Sequence, residues 1–95
     1  MKLYYVYFLA SVKRVLYIGL TSKFERRLAQ HRAHLYPRCF TARYNVTRLV
    51  YFEEFMRIED AIAREKQTKA WRRSKKVALI ERTNPEWKDL AGGSP

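Results

Sequence analysis

The 95 residues form one domain's worth of chain, enough for a single modest core and too short for a separate regulatory module. Twenty Lys and Arg stand against nine Asp and Glu, a net charge of +11, while 47% of residues are hydrophobic, so the chain should fold and should be drawn to polyanions. A membrane-spanning segment is excluded, because no stretch approaches the roughly 20 apolar residues that a bilayer requires. Cys39 is the only cysteine, which removes a disulfide framework and a cysteine-based metal cluster and fits a cytoplasmic location.

Residues 3–10 and 15–20 are rich in Tyr, Val, Ile, Leu and Phe, with Ser11-Val12-Lys13-Arg14 between them, and they predict a β-hairpin. The aromatic, period-two start argues against a signal peptide. Strand side chains alternate faces, so Tyr5, Tyr7 and Leu9 share one side, and Val15, Tyr17 and Gly19 share a side of the second strand. In simple register Tyr7 and Tyr17 lie close together.

Ser22 followed three residues later by Glu25 matches a capping box at a helix start. The helix expected over 23–35 carries Phe24, Leu28, His31 and Leu35 on one stripe, with Arg27 at its border. From Tyr36 to Asn45 no period is sustained, and a mobile, exposed loop is expected. A third strand comes next, over 46–55. A second helix over 57–70 has Ile58, Ala61 and Ile62 as its expected buried face, with Glu65 one turn further along it. A third helix is expected over 75–82, stopped by Asn84-Pro85. The domain is taken as 1–88, with 89–95 as a fraying tail.

Glu65 stands out because a carboxylate on an apolar stripe needs a cation or a donor. A neighbouring Lys or Arg is the ordinary answer; a hard divalent cation shared with substrate phosphate and water is the sharper one. For Tyr4 and Tyr5 cross-strand packing is the better reading, whereas Tyr7 and Tyr17 need cationic company to act as acids or bases. Arg27 and His31 can supply it, or can be a solvated helix edge and a packed histidine. The run Arg64, Lys66, Lys69, Arg72, Arg73, Lys75 and Lys76, with Trp71 inside it, reads as a solvated surface or as a track for a phosphate backbone. A membrane-surface role is disfavoured because no helix joins this charge to a broad apolar face.

The ordered set Tyr5-Val6-Tyr7, Tyr17-Ile18-Gly19, Arg27, His31 and Glu65 resembles the GIY-YIG nuclease superfamily. The compact length and the ending Trp71-Arg72-Arg73, Lys76, Leu79-Ile80-Glu81 and Asn84-Pro85-Glu86-Trp87 are similar to its small stand-alone bacterial subgroup. The resemblance implies a compact α/β domain, a small three-stranded and mainly antiparallel sheet flanked by helices. It implies an endonuclease acting on branched, flapped, nicked or damaged DNA, with RNA open as a second substrate. Tyr7, Tyr17, Arg27, His31 and Glu65 would be catalytic. Glu65 would hold Mg²⁺ or Mn²⁺, and Tyr5, Val6, Ile18 and Gly19 would be structural parts of the motifs. Lys23, Arg26, Lys69, Arg72, Arg73, Lys75 and Lys76 would contact nucleic acid. In that scheme Tyr17 helps deprotonate the attacking water while Arg27 and Tyr7 steady the phosphate charge. Tyr5 replaces the glycine of the first motif, and Leu20 stands where repair-type members often carry lysine. The alternative is a nucleic-acid-binding module without turnover, or a repair adaptor using Trp71 and Trp87.

Overall fold

The computed structural model describes residues 2–33 and 44–91. Cys39 and most of the loop expected from Tyr36 lie outside those residues, as do Leu35 and residues 92–95. In chain order the elements are β1 (Tyr4–Ala10), β2 (Leu16–Thr21), α1 (Phe24–Arg32), β3 (Arg48–Phe55), α2 (Ile58–Ala70) and α3 (Arg73–Thr83).

The sheet has the order β2-β1-β3, and both pairings are antiparallel. The central position of β1 explains its composition: Val6 through Ala10 are all buried, so both faces must be apolar. On one face Val6, Phe8 and Ala10 join Ile18, Val50, Ala61 and Ile80 beneath α2 and α3. On the other Tyr7 and Leu9 join Leu28, Val46 and Leu49 beneath α1. The expected antiparallel sheet with flanking helices is therefore what the chain forms.

The hairpin turn holds Arg14 in the left-handed region, at φ 65. That conformation costs a non-glycine residue about 1–2 kcal/mol, and two contacts offset it. Arg73 donates to the Arg14 carbonyl at 2.7 Å, and the Arg14 guanidinium lies 4.7 Å from the Trp87 ring centroid.

Four expectations need correction. The capping box is absent because Lys23, not Ser22, is the N-cap of α1, which puts Glu25 one position too early for the reciprocal bond. Thr21 Oγ1 instead accepts the Lys23 N–H at 2.9 Å. The buried face of α2 is also rotated from the expected stripe: Ala61 and Thr68 are buried, whereas Ile58 is 42% and Ile62 36% exposed. Thr68 can occupy the core because its hydroxyl donates back to the Arg64 and Glu65 carbonyls. Asp89 does not fray, since its carboxylate accepts from Arg32, from Leu49 N–H and from Ala91 N–H. Finally, Trp87 is buried at 4% exposure, with Nε1 donating to Glu81 at 2.7 Å, and Trp71 is half-buried between Arg64 and Lys75. An adaptor surface that needs Trp87 exposed is not present.

Asn84 is structural. Its side chain donates to the Val50 and Lys88 carbonyls and accepts from Lys88 N–H, tying the end of α3 to β3.

Candidate active site

The two motif strands meet through a glycine. Tyr7 pairs with Gly19 and Leu9 with Tyr17, so Tyr17 is the diagonal neighbour of Tyr7 on one face, with ring centroids 6.2 Å apart. A side chain at position 19 would occupy the space that the Tyr7 ring fills: an added Cβ would lie 2.5 Å from Tyr7 Cζ. Gly19 thus lets the first tyrosine lie across the second strand.

Helix α1 closes this arrangement from above. Phe24, Leu28 and His31 recur at helical spacing and face the sheet. Phe24 stacks on Tyr5 at 4.5 Å and tilts against Tyr7 at 5.9 Å. His31 Nε2 lies 3.2 Å from the Tyr7 hydroxyl, and its ring is 5.4 Å from that of Tyr17.

Burial, above all, pushes the Tyr7 phenol well above its ordinary range; the neighbouring Tyr17 adds to this, while the Arg27 guanidinium pulls the other way. A hydrogen bond with Tyr17 and the Glu65 charge raise it further. Tyr7 therefore keeps its proton at neutral pH. Burial and the Arg27 charge both lower the His31 imidazole, so it is neutral there as well. A single phenolic proton serves one acceptor at a time. With Tyr7 donating to Tyr17, the Nε2–H tautomer of His31 completes the chain by donating to the Tyr7 oxygen.

Exposure separates the two tyrosines. Tyr7 is 0% exposed and its hydroxyl is engaged within the protein, whereas Tyr17 is only half-buried. Of the two tyrosines on this face, Tyr7 is thus the sealed one and Tyr17 the more exposed.

Glu65 projects from α2 with its side chain 21% exposed, and its Oε2 accepts an ion pair from Lys69 at 3.2 Å. The ordinary answer to its partial burial is thus realised, and the same carboxylate lies within electrostatic reach of Tyr7. Among the described residues no group of three or more His, Cys, Asp or Glu side chains could cage a metal ion. The donor set fits a cation of the Mg²⁺ kind, which takes one carboxylate and fills its remaining positions with water and phosphate oxygens. It does not fit a dedicated protein cage.

The expected nucleic-acid contacts divide into groups. Lys23, Arg26 and Arg27 share one flank of α1 and line an open cleft of about 710 Å³, with Thr21, Ser22 and Gln30 between them. Lys69 and Lys76 flank Tyr17 in a smaller hollow of about 280 Å³. Arg72 is exposed near the turn between α2 and α3. Arg73 is committed to the Arg14 carbonyl, and Lys75 lies 4.4 Å from the Trp71 ring centroid. Of the structural motif residues, Tyr5 supports Phe24, while Val6 and Ile18 are core.

The sequence reading missed two ties. Arg64 makes a forked contact to Glu53 at 2.8 and 3.0 Å, and Tyr51 donates to the same carboxylate at 2.5 Å. Burial pushes Glu53 upward, but the bonds from Arg64 and Tyr51 outweigh it and hold the carboxyl low; burial and that carboxylate push Tyr51 up to about 12. Only the i, i+2 spacing of Tyr51 and Glu53 on one strand face hinted at the cluster. The second tie, Asp89 to Arg32 at 2.6 Å, spans 57 residues and left no local signal.

Comparison with known proteins agrees with this fold. The family model described as the GIY-YIG catalytic domain matches residues 3–78. A UPF0213 protein of Syntrophus aciditrophicus (strain SB) is 34% identical over 82 residues, covering 86% of this chain and 93% of the relative. The solution NMR structure of a UPF0213 protein from Bacillus halodurans superposes with a TM-score of 0.60 at 27% identity, over 97% of both chains. Among the described residues no helix is long and apolar enough to cross a membrane.

Proposed function

Because this chain belongs to the GIY-YIG nuclease family, we propose that it is a metal-dependent endonuclease that hydrolyses phosphodiester bonds in DNA of branched, flapped, nicked or damaged structure. The observation that carries the reading is the convergence around Gly19: Tyr7, Tyr17 and His31 in mutual contact, with Arg27 and Glu65 within electrostatic reach of Tyr7. Unpaired with any carboxylate among the described residues, Arg27 presents a planar fork suited to phosphate oxygens. Tyr17 orients the attacking water and relays its proton, giving up its own phenolic proton to solvent as it takes up that of the water, while the new P–O bond forms, the bond to the 3′ oxygen breaks and that oxygen leaves with a proton from solvent. Tyr7 acts as a positioning residue, its proton bridging to Tyr17 while neutral His31 fixes its oxygen. Glu65 would hold Mg²⁺ or Mn²⁺, which would supply positive charge against the phosphate and the leaving oxygen.

The test is a panel of labelled linear, flapped, four-way-junction and single-stranded DNA, with an RNA arm, incubated with Mg²⁺ or Mn²⁺. Glu65→Ala and Tyr17→Phe are expected to lower cleavage by roughly 100-fold or more, the scale of losing a general base or a charge-stabilising group. Cleavage undiminished by either substitution would place the chemistry elsewhere. Binding across the panel without cleavage would identify a nucleic-acid-binding module instead.

A further inference from the structure

The cleft beside α1 is lined by both cationic and apolar side chains; Leu20 and Tyr4 also pack against the core, but Ile58 does not. One wall is cationic: Lys23, Arg26 and Arg27 fall on one helix face, and none of them takes part in an ion pair among the described residues. The other wall is apolar, made by Leu20 at the edge of β2 and by Ile58 at the start of α2, with Tyr4 beside them. Ile58 is 42% exposed, so an isoleucine is left in water in a cleft that three cations also line. No acidic side chain is found among the described residues that line the cleft.

A solvated basic surface has no use for the exposed Ile58, and a hydrophobic partner would leave the cations desolvated. A nucleotide matches both, since its phosphate is anionic and its base has two apolar faces. The volume, about 710 Å³, lies within the range of small-molecule sites. A base can reach such a wall only when it has left the duplex stack. Arg27 belongs both to this cleft and to the tyrosine cluster, so the two sites adjoin.

We propose that the cleft holds one unpaired nucleotide next to the phosphate gripped by Arg27, its base against Leu20 and Ile58 and its own phosphate on Lys23 and Arg26. The inference deepens the nuclease reading and rests on it for the placing of the cleaved bond. It narrows the substrate to strands with an unpaired nucleotide at the reaction point.

The experiment measures binding without metal, by fluorescence anisotropy, to three labelled duplexes: one nicked, one nicked with a single-nucleotide flap, and one with an abasic residue as the flap. Wild type is expected to bind the base-bearing flap about tenfold tighter than the abasic flap, within the range of one base stacking or packing on protein, with the nicked duplex weakest. Ile58→Ser, whose side chain is already partly in solvent, should fold with little change in melting temperature and reduce the ratio to near one. Arg26→Ala should weaken the two flapped duplexes, base-bearing and abasic alike, and lower their salt dependence by about one phosphate contact. Equal binding of base-bearing and abasic flaps, or a ratio unchanged in folded Ile58→Ser, would overturn the proposal. Cleavage run in parallel separates the two readings: a preserved ratio without cleavage defeats the nuclease assignment alone, and cleavage without the ratio defeats the pocket alone.

Discussion

Gly19→Ala pits local propensity against the geometry of the tyrosine cluster. Within a strand an alanine normally stabilises relative to glycine, by roughly 0.5–1 kcal/mol, because less backbone entropy is lost on folding. Here the new Cβ would lie 2.5 Å from Tyr7 Cζ and 2.9 Å from Cε1. Carbon atoms settle about 3.5–4.0 Å apart, so the ring must withdraw by about 1 Å. It has little room to do so, being fully buried, packed on Phe24 and bonded to His31. Overpacking of this kind costs about 1–3 kcal/mol, and the upper half of that range applies where the obstacle is a rigid ring. At about 4–8 °C per kcal/mol for a domain of this size, the melting temperature should fall by roughly 10–20 °C. The clash is separated from other effects by repeating the substitution in Tyr7→Leu, which lacks the ring atoms that collide. Urea titrations of the four proteins should give a coupling of at least about 1.5 kcal/mol. A loss under about 0.5 kcal/mol in the wild-type background, or an equal loss in both backgrounds, would refute the account of the glycine.

Asp89→Ala removes the partner of Arg32 and leaves the Leu49 N–H without its acceptor, which should cost about 1–3 kcal/mol; amide hydrogen exchange should quicken along α1 before the sheet opens. Asn84→Ala strands the buried Val50 carbonyl and should lower stability by about 2–3 kcal/mol in urea. The fold depresses His31 below the usual imidazole value of about 6.5, so on acidification the unfolded chain takes up the proton first. The stability tied to neutral His31 is therefore complete above about pH 6.5 and is lost as pH falls through the lower folded value. Relative to wild type, His31→Gln should show a flatter fall in melting temperature from pH 7 to pH 5, and an identical slope would contradict the burial argument. Lys69→Met removes the ammonium at Glu65 and should tighten Mn²⁺ binding a few-fold by calorimetry, while Glu65→Gln should abolish it.

The hairpin was legible because its two strands carry a dense period-two pattern of aromatic and branched residues, a local property. The helices were legible in place but not in facing. Ile58 and Ile62 read as core because hydrophobicity was the only guide, whereas contact with β2 and β1 selects Ala61 and Thr68, small enough to approach the sheet closely. Thr68 reads as polar in isolation and becomes buriable only through its bonds to the helix's own carbonyls. The ordered motifs pointed to Tyr7, Tyr17, Arg27, His31 and Glu65, and the fold brings their elements together. Sequence order could not reveal that Tyr7 is sealed from solvent while Tyr17 is only half-buried, because that depends on the central place of β1 in the sheet and the edge place of β2.

The span matched to the family ends at residue 78, yet the geometry of α1 depends on residues beyond that point. Its first turn is set by Phe24 stacking on Tyr5, and its last by Arg32 pairing with Asp89. Arg27 and His31 lie between these two anchors, on a helix of only nine residues, too short to hold its shape in water without tertiary support. Asp89 reaches this position because Asn84 stops α3 and turns the chain back toward β3, where Leu90 N–H donates to the Leu49 carbonyl at 2.7 Å. The residues from Asn84 to Ala91 therefore help fix the far end of α1, the helix that carries Arg27 and His31. If Arg27 acts in the proposed reaction, Asp89→Ala should lower cleavage as well as stability, since a catalytic group misplaced by about 1 Å costs about 100-fold.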